Sequence, residues 1–119
     1  MWRRVNRAWQ EGRVPKYLFT GSYTQAGVKG ILAEGGSGRR GAVEKLAQSV
    51  GGSIEAFYFA FGADDFYVLA DLPNNEAAAA IALTVSGSGA VGARTVVLLT
   101  PEEVDAATKL SPSYRPPGG

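Results

Sequence analysis

The sequence predicts an α+β fold: one four-stranded antiparallel sheet with two main helices on one of its faces. Three observations lead there. Period-two alternation of apolar residues, which marks strands, takes turns with period-3.6 helical patterning in the order β-α-β-β-α-β. Nearly every boundary between these stretches carries a capping residue, a proline or a glycine. The 119 residues, 45% of them hydrophobic, suffice for one core and are too few for two ordinary domains.

The strands and helices follow in order. Lys16–Tyr23 alternates Tyr17, Phe19, Gly21 and Tyr23 with Leu18, Thr20 and Ser22, as a strand does. Thr24 is placed to N-cap a helix carrying Val28, Ile31 and Leu32. Gly35-Gly36-Ser37-Gly38 is expected to interrupt it. A second helix follows with Val43, Leu46, Ala47 and Val50 on one face, and Gly51-Gly52 stops it. Ile54–Phe61 and Asp65–Leu72 read as strands joined by a tight turn at Gly62-Ala63-Asp64. Pro73-Asn74-Asn75 ends the second of these and caps an alanine-rich helix from Glu76 to about Val85. Ala90–Thr100 is a β-branched strand, and Thr100-Pro101-Glu102-Glu103 is a capping box with proline at the first helical position. Residues 111–119, with three prolines and two glycines, are expected to be a disordered tail. This is the split βαβ, ferredoxin-like arrangement, with expected strand order 4-1-3-2 and a domain over residues 14–110.

Residues 1–13 carry Trp2, Val5 and Trp9 on one helical face with arginines elsewhere, and lack the apolar core of a secretory signal. The globular pattern starts abruptly at Val14-Pro15, and Gln10-Glu11-Gly12 is a tripeptide that a purine-rich ribosome-binding sequence encodes. The expectation is an upstream extension, with Val14 the natural initiator position.

The sheet itself predicts a partner. On three strands both faces are apolar: Ile54, Ala56, Tyr58 and Ala60 alternate with Phe57, Phe59 and Phe61, while Phe66, Val68, Ala70 and Leu72 alternate with Tyr67 and Leu69. Val91, Ala93, Val97 and Leu99 likewise alternate with Val96 and Leu98. A two-layer domain leaves one sheet face to water, and a face this greasy exceeds what monomers normally expose. The expected solution is a homodimer packed sheet to sheet about a two-fold axis.

Composition excludes several functions. With no cysteine and no histidine there is no thiol nucleophile, no thiolate or imidazole metal site and no histidine general base. Neither a metal nor a cofactor is expected. From Val14 to Ser111 seven basic residues face ten acidic ones, a net of −3. Such a body cannot neutralise phosphates, so nucleic acid is not an expected partner. No apolar run is long enough to span a bilayer, and a cytoplasmic location is expected.

Two stretches, Gly36–Gly41 and Gly87–Gly92, match G-x-G-x-x-G, but the dinucleotide fingerprint needs a strand before and a helix after, which neither has. Lys29, Arg39 and Arg40 are candidates for an anion site near the glycine break, against the plainer reading of a solvated helix face. Tyr17, Tyr23 and Tyr58 lie on strands, where aromatics ordinarily serve as core or interface. A tyrosine facing a cleft between sheet and helices would orient a small ligand. Arg94, on the last strand among apolar neighbours, needs a carboxylate, with Glu55 and Asp71 as expected partners. Asp64 and Asp65 offer too few oxygens for calcium, and turn carboxylates ordinarily satisfy backbone donors. The ligand-cleft candidates are therefore Tyr17, Tyr23, Tyr58, Arg94 and Asp65; no catalytic residue is assigned.

Several stretches resemble the GYD-domain family of small bacterial proteins. They are Pro15–Thr24, Gly27-Val28-Lys29-Gly30, Arg39-Arg40 with Ala42–Leu46, Gly51-Gly52 with Phe57–Gly62, Asp71-Leu72-Pro73 and Arg94–Glu103. The resemblance covers about residues 14–108 and implies a dimeric α+β barrel. It implies no reaction. The family takes its name from Gly-x-Tyr-Asp at the hairpin, where this chain has Gly62-Ala63-Asp64-Asp65, so no role for that tyrosine carries over. Two functions stand side by side: a homodimeric domain that binds a small apolar molecule or another protein, and a cofactor-independent oxygenase or isomerase acting on an apolar or aromatic substrate in the sheet-helix cleft.

Overall fold

The computed structural model describes residues 14–119, so the expectation for residues 1–13 falls outside the described residues. The elements are β1 (Lys16–Tyr23), α1 (Gln25–Ser49), β2 (Ser53–Phe59), β3 (Phe66–Asp71), α2 (Asn75–Gly87), β4 (Val91–Leu98) and α3 (Pro101–Thr108). They build one antiparallel sheet in the order β2-β3-β1-β4, the ferredoxin-like layout expected.

The caps predicted from the sequence are in place. Thr24 accepts from the Gly27 amide and Asn74 from the Ala77 amide. Gly51, at φ 85°, follows the C-cap of α1. Thr100 and Glu103 close the capping box reciprocally at 3.0 and 2.7 Å. Yet α3 buries none of its residues. Residues 111–119 form neither helix nor strand and are exposed throughout.

Three local expectations need correction. The glycine-rich break in α1 is one residue long: Gly35 alone leaves helical geometry, at φ 79° and ψ 169°, while Gly36, Ser37 and Gly38 stay helical. Only glycine adopts that φ without steric cost, so the kink is fixed at Gly35. Second, the β2–β3 turn is wider than Gly62-Ala63-Asp64. The Ala60 amide bonds the Asp65 carbonyl at 2.8 Å, which ends β2 at Phe59 and leaves residues 61–65 as a bend. Third, simple alternation fails on β2. Ile54 pairs with Ala70 but Ala56 pairs with Leu69, so Glu55 is an extra residue in a bulge. The bulge puts Ile54 on the same face as Phe57 and Phe59, and turns Ala56 and Tyr58 to the other.

One face of the sheet carries the core. Tyr17, Phe19, Phe66, Val68, Ala70 and Leu72 pack there against Ala47 of α1 and Ala77, Ala78 and Ile81 of α2, all buried. The small residues let the helices approach the sheet closely. A close approach also fixes β1 to β4: a Cβ on Gly21 would sit 1.9 Å from the Gly92 carbonyl oxygen.

The helix-free face carries an apolar band of Leu18, Leu69, Val96, Leu98, Tyr67 and Tyr58, set by the pairs Leu18–Leu69, Leu18–Val96 and Tyr58–Tyr67. Val96 is 42% and Tyr58 70% exposed. Ion pairs flank the band. Lys16 Nζ reaches Glu55 at 2.7 Å and Asp71 at 2.5 Å, and Arg94 reaches Asp64 at 2.6 Å. The partner of Arg94 is thus Asp64; Glu55 and Asp71, expected to hold it, are taken by Lys16 instead, because the β1–β3 register sets Lys16 opposite Asp71.

Candidate functional site

The site develops where the kink of α1 passes over the end of the sheet. Gly36 lies so near Phe59 that a Cβ there would meet the ring at 3.1 Å. The Phe59 ring joins a tilted aromatic row, 5.1 Å from Phe57 and 6.3 Å from Tyr23, with Tyr23 in turn 5.1 Å from Phe66. Such tilted contacts suit the aromatic quadrupoles, and of this row Tyr23 and Phe59 line the groove. The first half of α1 contributes Val28 and Ile31, and the hairpin contributes Ala60, Phe61 and Asp65. Together with Tyr23 and Gly36 these line an open groove of about 460 Å³.

Behind Tyr23 a second, narrower cavity of about 60 Å³ lies between the sheet and both helices, lined by Phe19, Arg39, Val43, Phe57, Ile81 and Val85 among others. It is an apolar space of one or two water volumes, too small for a ring. The groove falls within the size range of ligand sites and the cavity does not.

Tyr23 separates the two. Burial pushes its phenol up, Asp65 and Glu34 add to the shift, and Arg39 opposes it. The phenol therefore stays protonated near neutrality and is a donor, not a base. Asp65 is anchored at the groove edge: its Oδ2 accepts the Tyr23 amide at 3.0 Å, and its own amide bonds the Gly21 carbonyl at 2.7 Å.

Of the five cleft candidates, the structure brings Tyr23 and Asp65 together at the groove. Tyr17 faces the core but its hydroxyl is committed to Asn75 Oδ1 at 2.7 Å, and burial raises its pKa. Tyr58 borders a separate polar depression between β2 and α1, away from the groove, and Arg94 lies on the helix-free face. There Asp64, buried at the turn, accepts from both Thr20 Oγ1 and Arg94, which together hold its carboxyl below the usual range. Thus Asp64, where the family pattern has its tyrosine, serves an ion pair.

The anion candidates do not converge. Arg39 lines the inner cavity with Glu34 at 3.7 Å, whereas Lys29 is exposed on α1. Arg40 borders a separate polar depression of about 310 Å³ with Glu44, Glu55 and Tyr58. The G-x-G-x-x-G stretch at Gly36 is inside α1, and that at Gly87 runs from the end of α2 into β4, so neither offers a phosphate cradle. Among the described residues no cluster of histidine, cysteine or carboxylates could hold a metal, and no helix is long and apolar enough to cross a membrane.

Sequence reasoning missed Val28, Ile31, Phe59 and Phe61 as groove residues, having placed the first two only on a helix and the phenylalanines on an apolar sheet face. A usable signal was present: Val28 and Ile31 share a helical face that runs out at the Gly35 break, and two phenylalanines precede Gly62 where the strand stops.

No curated protein and no solved structure matches the chain. The match that does exist spans the sheet, both packed helices and α3: residues 17–108 fit the GYD domain, and the chain belongs to the GYD-domain family.

Proposed function

We propose that this protein is a homodimeric binding domain: two copies pack through their helix-free sheet faces, and each takes a small apolar molecule in the groove at the α1 kink. The groove carries the ligand half of this reading. It is large enough for a single ring system, lined in part by aromatic side chains, and open to solvent without rearrangement of the core. Binding has more support than catalysis. Tyr17 and Arg94, the polar tips an oxygenase or isomerase would need, are engaged elsewhere, and Tyr23 is a poor base.

The pairing half rests on the band of Leu18, Leu69, Val96 and Leu98. A contiguous apolar strip between two sets of satisfied ion pairs has the make-up of an interface core with a polar rim.

Two measurements test the reading. Titration with 2-phenylethanol, a neutral aromatic probe, is expected to shift the amide resonances of Ile31, Gly36 and Ala60; shifts confined to other regions, or none, would overturn the groove. Sedimentation velocity is expected to show a two-copy species that Val96→Asp converts to monomer, since a desolvated carboxylate in the interface is costly. A wild-type monomer at every concentration would overturn the pairing.

A further inference from the structure

We propose that the groove selects an organic cation, a small arylalkyl amine, over neutral and anionic molecules of the same shape; this rests on the reading of the groove as a ligand site.

The argument starts from the lining. Asp65 is the groove's one charged residue among those described, and it stands among the aromatic side chains of Tyr23, Phe59 and Phe61. Asp65 Oδ2 is used by the Tyr23 amide. The other carboxylate oxygen has no protein hydrogen bond among the described residues, so it remains an acceptor on a residue that lines the groove, whose other lining residues offer apolar surface and one phenol. Phe61 is fully exposed and presents its ring to whatever enters.

Aromatic faces carry negative quadrupole density and attract an ammonium, and a carboxylate beside them completes its neutralisation. The same arrangement repels a carboxylate ligand. The nearest guanidinium, Arg39, does not reverse this, because it lines the inner cavity and is opposed by Glu34 at 3.7 Å. Lys29 and Arg40 do not line the groove. In the bound state the ammonium donates to the free Asp65 oxygen, while the ligand ring lies between Phe59 and the Val28–Ile31 edge of α1.

The test compares three probes of nearly equal size at pH 7: 2-phenylethylamine, 2-phenylethanol and 3-phenylpropionate, each titrated into the full-length protein and followed by amide shifts. The amine is expected to bind about tenfold more tightly than the alcohol, with the carboxylate weakest, and added salt is expected to narrow the gap. Asp65→Asn, which keeps an oxygen for the Tyr23 amide, is expected to weaken the amine far more than the alcohol, so that the gap between the two closes. Phe61→Leu, at a fully exposed position, is expected to weaken the amine more than the alcohol without affecting folding. Equal affinity of amine and alcohol, or a preference for the carboxylate, would overturn the cation selectivity and leave the groove as an apolar site. Failure of all three probes to shift groove residues would overturn both readings.

Discussion

The two faces of the sheet use similar side chains to different ends. On the helix-covered face Leu72, Ala70 and Tyr17 are at most 2% exposed, packed under alanines of α1 and α2. On the helix-free face Leu18, Leu69 and Val96 sit directly opposite one another in the same register and stay partly open. Residue type therefore does not separate the covered face from the open one here. What separates them is which face the two helical crossovers cover, and that is a property of topology.

The sharpest way to break this comparison is a matched pair of truncations. Leu72→Ala is expected to cost about 2–5 kcal/mol in urea unfolding, because the cavity cannot collapse between sheet and helices. Leu69→Ala is expected to cost about 1 kcal/mol, since less of its surface leaves water within one chain. Equal costs would mean that the helix-free face is as sealed as the core.

Much of this contrast was legible in the sequence. The strand order, the caps at Thr24, Asn74 and Thr100 and the stop at Gly51 follow from local chemistry, so short patterns were enough. The Glu55 bulge was not legible, since an inserted residue leaves the apolar pattern intact on both sides and shows only in pairing. Nor were the partners of Arg94. Asp64 is thirty residues away in sequence, and it reaches the arginine only because the wide 61–65 bend carries it onto the helix-free face. The groove escaped for a related reason: that Val28 and Ile31 meet Phe59 and Phe61 depends on the path of α1 around the Gly35 kink, which shows only in three dimensions.

A smaller effect sharpens the polar side of the comparison. Tyr17→Phe removes the bond to Asn75 and is expected to cost about 1 kcal/mol, measured by the same unfolding curves. No change would show that Asn75 finds an equivalent partner in water.

The smallest expected effect is the pH response of the helix-free face. Arg94 and Thr20 lower the Asp64 carboxyl from its ordinary 3.8. A depressed folded value gives stability that is complete above the unfolded value and lost as pH falls below about 3.8 through the lower folded one. Carbon-detected titration of the carboxyl is expected to show the depressed value in the wild type and a return upward in Arg94→Ala. An unchanged titration would leave the ion pair without energetic weight.

The contact of Gly21 with the Gly92 carbonyl has a consequence for how the protein fails. A single methyl group there would lever the last strand away from its neighbour and bare a row of unsatisfied amides and carbonyls along β1. That raw border would recruit strands from other molecules, so damage at this corner is expected to surface as aggregation during refolding.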